Sequence, residues 1–79
     1  MKVTVHVSLK PGVLDVQGKA VEAALHGLGW SGVSDVRFGR TIAFDLPGDD
    51  RAAVEAEAKA MCEKLLANTV IESYRVEVG

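Results

Sequence analysis

Residues 2–9 read Lys-Val-Thr-Val-His-Val-Ser-Leu, with Val3, Val5, Val7 and Leu9 on one side and Thr4, His6 and Ser8 on the other. Strict period-2 alternation of β-branched residues specifies a strand with one buried and one open face. Such a strand needs neighbours to pair its backbone and a second layer to cover its valines. Lys10-Pro11-Gly12 ends it, since proline donates no ladder hydrogen bond and glycine accepts turn dihedrals.

The second layer is legible as two helices. Asp15 is positioned to cap a helix reaching about Gly27, with Val16, Ala20, Ala24, Leu28, Val21 and Leu25 on one half of the cylinder. Lys19, Glu22 and His26 take the other half; Gly18 weakens the helix locally, and Gly27 and Gly29 stop it. Pro47-Gly48-Asp49-Asp50 supplies a second cap. The helix predicted over 51–67 aligns Val54, Ala58, Met61, Cys62, Leu65 and Leu66, flanked by a Glu55–Lys59 pair at i,i+4 and stopped at Asn68.

Between the helices, residues 33–38 and 41–46 are expected to form a hairpin around Gly39-Arg40. A three-residue loop or a bulge there puts Val36, Phe38, Ile42 and Phe44 on one face. Residues 73–78 alternate again, Tyr74, Val76 and Val78 against Arg75 and Glu77. The predicted order is β-α-β-β-α-β. Right-handed crossovers then give an α+β, ferredoxin-like sandwich: a four-stranded antiparallel sheet with both helices on one face. With 79 residues the chain is expected to be a single domain, 1–79, with a thin core that association with other chains would supplement.

The net charge of −2 gives no general attraction to nucleic acid or anionic lipid, and no apolar run is long enough to span a bilayer. The N-terminus lacks a signal-peptide pattern and the single cysteine forms no internal disulfide, so the expected compartment is cytoplasmic. An RNA-recognition sheet stacks bases on aromatics of its central strands. The corresponding open positions here are Thr4, His6, Ser8, Thr41, Ala43 and Asp45, with no Phe, Tyr or Trp, which argues against RNA.

Gly27-Leu28-Gly29-Trp30-Ser31-Gly32 matches GxGxxG but closes a helix, the reverse of a dinucleotide loop, which must open one. Cys62 falls on the apolar stripe of the second helix, and His6 and His26 have no ligand-type spacing. No nucleophile is placed beside a base. No catalytic, cofactor-binding or metal site is therefore expected on this chain. Lys10, Arg37 and Arg40 are either a basic patch for an acidic partner or simply solvated charges. Trp30, among glycines, is either a plug over the core or an interface anchor.

Leu9-Lys10-Pro11-Gly12-Val13-Leu14-Asp15 resembles the PurS family, the small subunit of phosphoribosylformylglycinamidine synthase (formylglycinamide ribonucleotide amidotransferase). The resemblance continues through Gln17–Val21 and Val36–Arg40, and resumes at Asn68, Val70-Ile71-Glu72, Tyr74 and Val76-Glu77-Val78. Val16 and Thr69 stand where the family usually has proline, Ser73 where it has Asp, and Arg40 where it has Lys. The resemblance implies a non-catalytic assembly subunit, homodimeric or homotetrameric, joining a glutaminase (PurQ) to a synthetase (PurL) that uses ATP and Mg²⁺. Ammonia from glutamine would then convert formylglycinamide ribonucleotide to the amidine, in an ATP-dependent C–N ligase complex of purine biosynthesis. With the Lys10-Pro11-Gly12 loop, the basic charges and Trp30 make Lys10, Pro11, Gly12, Trp30, Arg37 and Arg40 the candidate subunit contacts. Two other readings are a regulatory ligand-binding module of the ACT type, whose first loop Pro11–Leu14 also resembles, and a small enzyme using His6 and Arg75 on the open sheet face.

Overall fold

The computed structural model describes residues 1–79. Strand β1 (Lys2–Leu9) is central, paired antiparallel with β2 (Gly39–Asp45) on one side and β3 (Glu72–Val78) on the other. Helix α1 (Val16–Gly27) lies between β1 and β2 in the chain. Helix α2 (Arg51–Met61) lies between β2 and β3 and continues as a π-helical turn, Cys62–Leu66. No helix is long and apolar enough to cross a membrane.

The pairing follows the burial pattern. Val3 faces Phe44 and Val78, Val5 faces Ile42 and Val76, and Val7 faces Arg40 and Tyr74. A one-residue slip would turn all three valines to water, so this register is strongly enforced. The core is Val3, Val5, Val7 and Val78 from the sheet against Val54, Ala58, Cys62 and Ala67, with Ile42, Phe44 and Leu66 at its margin. Asp50 caps α2 through Oδ1 to the Ala52 amide, 3.1 Å. Leu65, expected on the buried stripe, is 83% exposed. The wider π turn rotates it off the face that Cys62 and Leu66 share.

Three expectations are corrected. The sheet has three strands, and residues 33–38 form none. Arg40 and Gly39 are not a hairpin turn; they lie within β2, opposite Val7 and Ser8. Nor do both helices cover one face, for α1 contributes no side chain to the core and buries only Gly18. The cause is a competing set of contacts. Asp35 sits at φ 56, a left-handed conformation that breaks an extended run. The Phe38 amide is taken by the Asp15 carboxylate, the Arg37 guanidinium by the carbonyls of Lys10 and Val13, and the Val33 carbonyl by His26 Nε2 at 2.6 Å. Residues 29–38 thus run back along α1, and the two together make an arm.

The arm leaves the sheet at the end where β1 finishes and β2 starts. An eight-residue strand spans about 26 Å and a twelve-residue helix about 18 Å, which together account for a molecule measuring 49 × 24 × 14 Å. Gly18 is where α1 and the returning chain meet most closely: a Cβ there would lie 2.1 Å from the Val36 carbonyl oxygen. Replacing a glycine within a helix with alanine ordinarily gains up to about 1 kcal/mol. Here the clash reverses the sign. Gly18→Ala is expected to lose about 1–3 kcal/mol in urea unfolding; a gain would show that the returning chain is not seated on α1.

Candidate functional site

The root of the arm is where the polar side chains converge. Asp15 is only 4% exposed. Its Oδ1 accepts from the Gly18 amide at 2.7 Å, capping α1, and its Oδ2 accepts from the Phe38 amide at 2.6 Å. One carboxylate therefore starts the helix and fastens the chain that returns from it. The Phe38 hydrogen bond first, then that from Gly18, holds its pKa below the ordinary carboxylate value, with the nearby Arg37 charge adding a smaller pull.

Beside it, the turn after β1 is stitched on two sides. The Lys10 amide donates to the Ile71 carbonyl at 2.8 Å, while the Lys10 carbonyl accepts from the Val13 amide at 3.1 Å and from Arg37 at 3.1 Å. A second Arg37 nitrogen reaches the Val13 carbonyl at 3.0 Å. Gly12, at φ 90, supplies the left-handed residue this turn needs. The structure thus brings Lys10, Pro11, Gly12 and Arg37 together. An open cleft of about 410 Å³ is lined by Pro11, Gly12 and Arg37 of this group together with Ser8, Leu9, Asp35 and Ser73.

Arg40 belongs to the neighbouring side of the same end. Its guanidinium forks onto Glu72 at 2.5 and 3.0 Å and reaches the Leu66 carbonyl at 2.6 Å. This bidentate pair lowers the Glu72 pKa, helped by the Asn68 amide on the same carboxylate, and raises that of Arg40. Arg40 is therefore no free charge. A cleft of about 300 Å³ separates this pair from Asp15 and Phe38. Trp30 is not with this group. It stands 59% exposed past the far end of α1, its amide bonded to the Leu25 carbonyl at 3.0 Å.

What this arrangement does chemically is hold shape. Its carboxylates are taken up by amides and a guanidinium, and no three of His, Cys, Asp and Glu are placed so as to hold a metal ion. Cys62 is buried, and burial pushes its thiol pKa up, away from a reactive thiolate. On the open sheet face His6 lies opposite both Arg75 and Thr41, with its Nε2 3.4 Å from Glu77. Arg75 pairs with the same Glu77, and that pairing is the main cause of the lowered Glu77 pKa. Glu72 is the member of the root that residue types alone do not single out. Its sequence signals are its place just before the alternating run 73–78 and within the Val70-Ile71-Glu72 stretch of the resemblance.

A family model described as PurS, phosphoribosylformylglycinamidine (FGAM) synthase, matches residues 2–79. The chain belongs to the PurS family. It is 53% identical over 77 residues to the phosphoribosylformylglycinamidine synthase subunit PurS of Bacillus subtilis, covering 98% of this chain and 90% of that one. To the PurS subunit of Methanocaldococcus jannaschii it is 39% identical, covering 98% and 93%. Among solved structures, B. subtilis PurS superposes with a TM-score of 0.87 at 52% identity, covering 99% of this chain and 96% of that one. PurLQS from Thermotoga maritima does so with a TM-score of 0.87 at 28% identity, covering 96% and 93%. The three-stranded sheet and projecting arm are thus a PurS architecture, and the four-stranded topology on which the ACT-type reading rested is absent.

Both root carboxylates have folded pKa values below their ordinary 3.8 and 4.5. Each therefore contributes stability that is complete above those values and is lost as pH falls through the folded ones. The urea midpoint is expected to stay level above about pH 5 and to fall steeply in acid. Asp15→Asn should lower the plateau and flatten the acid limb, and an unchanged limb would remove Asp15 from the account.

Proposed function

We propose that this chain, as one PurS-like domain over 1–79, is the small assembly subunit of a cytoplasmic phosphoribosylformylglycinamidine synthase. In this role it joins a synthetase subunit to a glutaminase subunit. ATP and Mg²⁺ would serve the synthetase, and ammonia from glutamine would convert formylglycinamide ribonucleotide to its amidine. The observation that carries this reading is near-complete, co-linear similarity to PurS chains, one of them part of T. maritima PurLQS. The root geometry agrees with it: its charges are spent on holding a loop and an arm, and they leave a shaped surface.

Ammonia attacks only while unprotonated, so a complex gains by keeping it from water between two sites. A subunit that fixes two enzymes in register contributes through geometry. In this reading Lys10-Pro11-Gly12 and Arg37 present one contact surface, Arg40 braces it through Glu72, and Trp30 presents a second contact at the arm's tip.

Reconstitution tests this. The isolated chain should turn over nothing, and adding it to the synthetase and glutaminase should raise glutamine-dependent amidine formation by at least about tenfold. Equal rates with and without the chain would overturn the assignment.

A further inference from the structure

Two opposite charges line one cleft without pairing. Asp35 and Arg37 both border the space of about 410 Å³ beside the turn after β1. They are two residues apart, yet neither enters an ion pair with the other or with any other side chain. Solvation alone accounts for a single exposed charge. What distinguishes this pair is how firmly each member is placed.

Arg37 donates from one nitrogen to the Val13 carbonyl at 3.0 Å and from another to the Lys10 carbonyl at 3.1 Å. A guanidinium has five donors, so these bonds fix its plane and leave three unspent. Asp35, at φ 56, lies between two anchored neighbours: the Val33 carbonyl accepts from His26, and Arg37 is tied to the turn. Its carboxylate is thus mounted on backbone held from both sides. Ser8 and Ser73 stand opposite each other across the β1–β3 ladder, so their side chains leave the sheet on the same face. Both are exposed and both line the cleft, with Leu9 and Pro11 as its apolar part. A cation edge, an anion and two hydroxyls therefore surround one space, already in position before anything enters it.

We propose that this cleft binds a free α-amino acid with an uncharged polar side chain, of which L-glutamine is the test case. The α-carboxylate takes the remaining Arg37 donors, a charge-assisted and directional contact. The α-ammonium takes Asp35, and the side-chain amide meets the hydroxyls of Ser8 and Ser73. Hydroxyls both donate and accept, as an amide group does. The cleft selects by charge: a simple anion would face Asp35, a simple cation would face Arg37, and only a zwitterion leaves neither unpaired. Because the cleft is open, the ligand stays partly in water, and the expected affinity is on the order of 1 mM. The inference goes beyond the assembly reading and does not need it. Binding is measured on the chain alone, so its failure leaves that reading standing.

Titration of the nitrogen-15-labelled full chain with L-glutamine at neutral pH, followed by amide NMR, tests this. Saturable shifts are expected at Ser8, Gly12, Asp35, Arg37 and Ser73, with a midpoint on the order of 1 mM. Glutaramate lacks the α-ammonium and L-glutaminamide lacks the α-carboxylate; each should bind at least about tenfold more weakly. Asp35→Asn removes the charge but keeps a residue that tolerates a positive φ, so the remaining amide signals should hold their positions. That variant should bind L-glutamine about tenfold more weakly and glutaramate as the parent does. An absence of saturable shifts at these residues would overturn the proposal. So would glutaramate binding as tightly as L-glutamine, or a folded Asp35→Asn chain with unchanged affinity for L-glutamine.

Discussion

The shape of this protein depends on one carboxylate. Asp15 accepts the amide of Gly18 and the amide of Phe38, residues 20 positions apart, from a site almost sealed from solvent. Capping a helix is an ordinary task for aspartate. Using the second oxygen to anchor the chain that returns from that helix is what turns α1 into a stiff projection. Without that second bond, residues 33–38 would be free to pair along β2, and α1 to fold down over the sheet.

Consequences follow in both directions along the chain. Because the returning segment is held by α1, β2 keeps an unpaired edge and the core narrows to β1, β3 and α2. Because α1 is held away from the sheet, its apolar residues Val16, Ala20, Ala24 and Leu28 stay exposed. A thin core combined with a surplus of exposed apolar surface is the thermodynamic situation of a chain whose stability is completed by association. An assembly subunit is well served by that design, as its function is contact and its chemistry is spent on posture.

Much of this was legible in the residues. Strict alternation located β1 and β3, and Asp15 and Asp50 marked both helix starts, since these signals are local and strong. The segment 33–38 misled because it is rich in apolar residues. Yet Val33 and Val36 differ in parity, which a strand with one buried face does not permit, and Asp35 interrupts the run. Gly18 read as a weak point in a helix. Its actual role is close approach to the Val36 carbonyl, which becomes visible only when the two segments are placed together. Leu65 obeyed the α-helical period and was displaced by a π turn that has no sequence signature of its own. At the root, Lys10, Pro11, Gly12 and Arg37 were brought together by pairing over long sequence separations. Trp30 was carried to the opposite end of α1 by the arm itself.

The central claim, an arm held away from the sheet, is tested most directly by a distance. Spin labels at Ser31 near the tip and Asp49 beyond the far end of β2 would be measured by double electron–electron resonance. The background would be Cys62→Ala, with labelled chains diluted into unlabelled ones so that only distances within a chain contribute. The account predicts a separation approaching the 49 Å long dimension. A single population near the 24 Å intermediate dimension would mean that α1 folds over the sheet, and would contradict it.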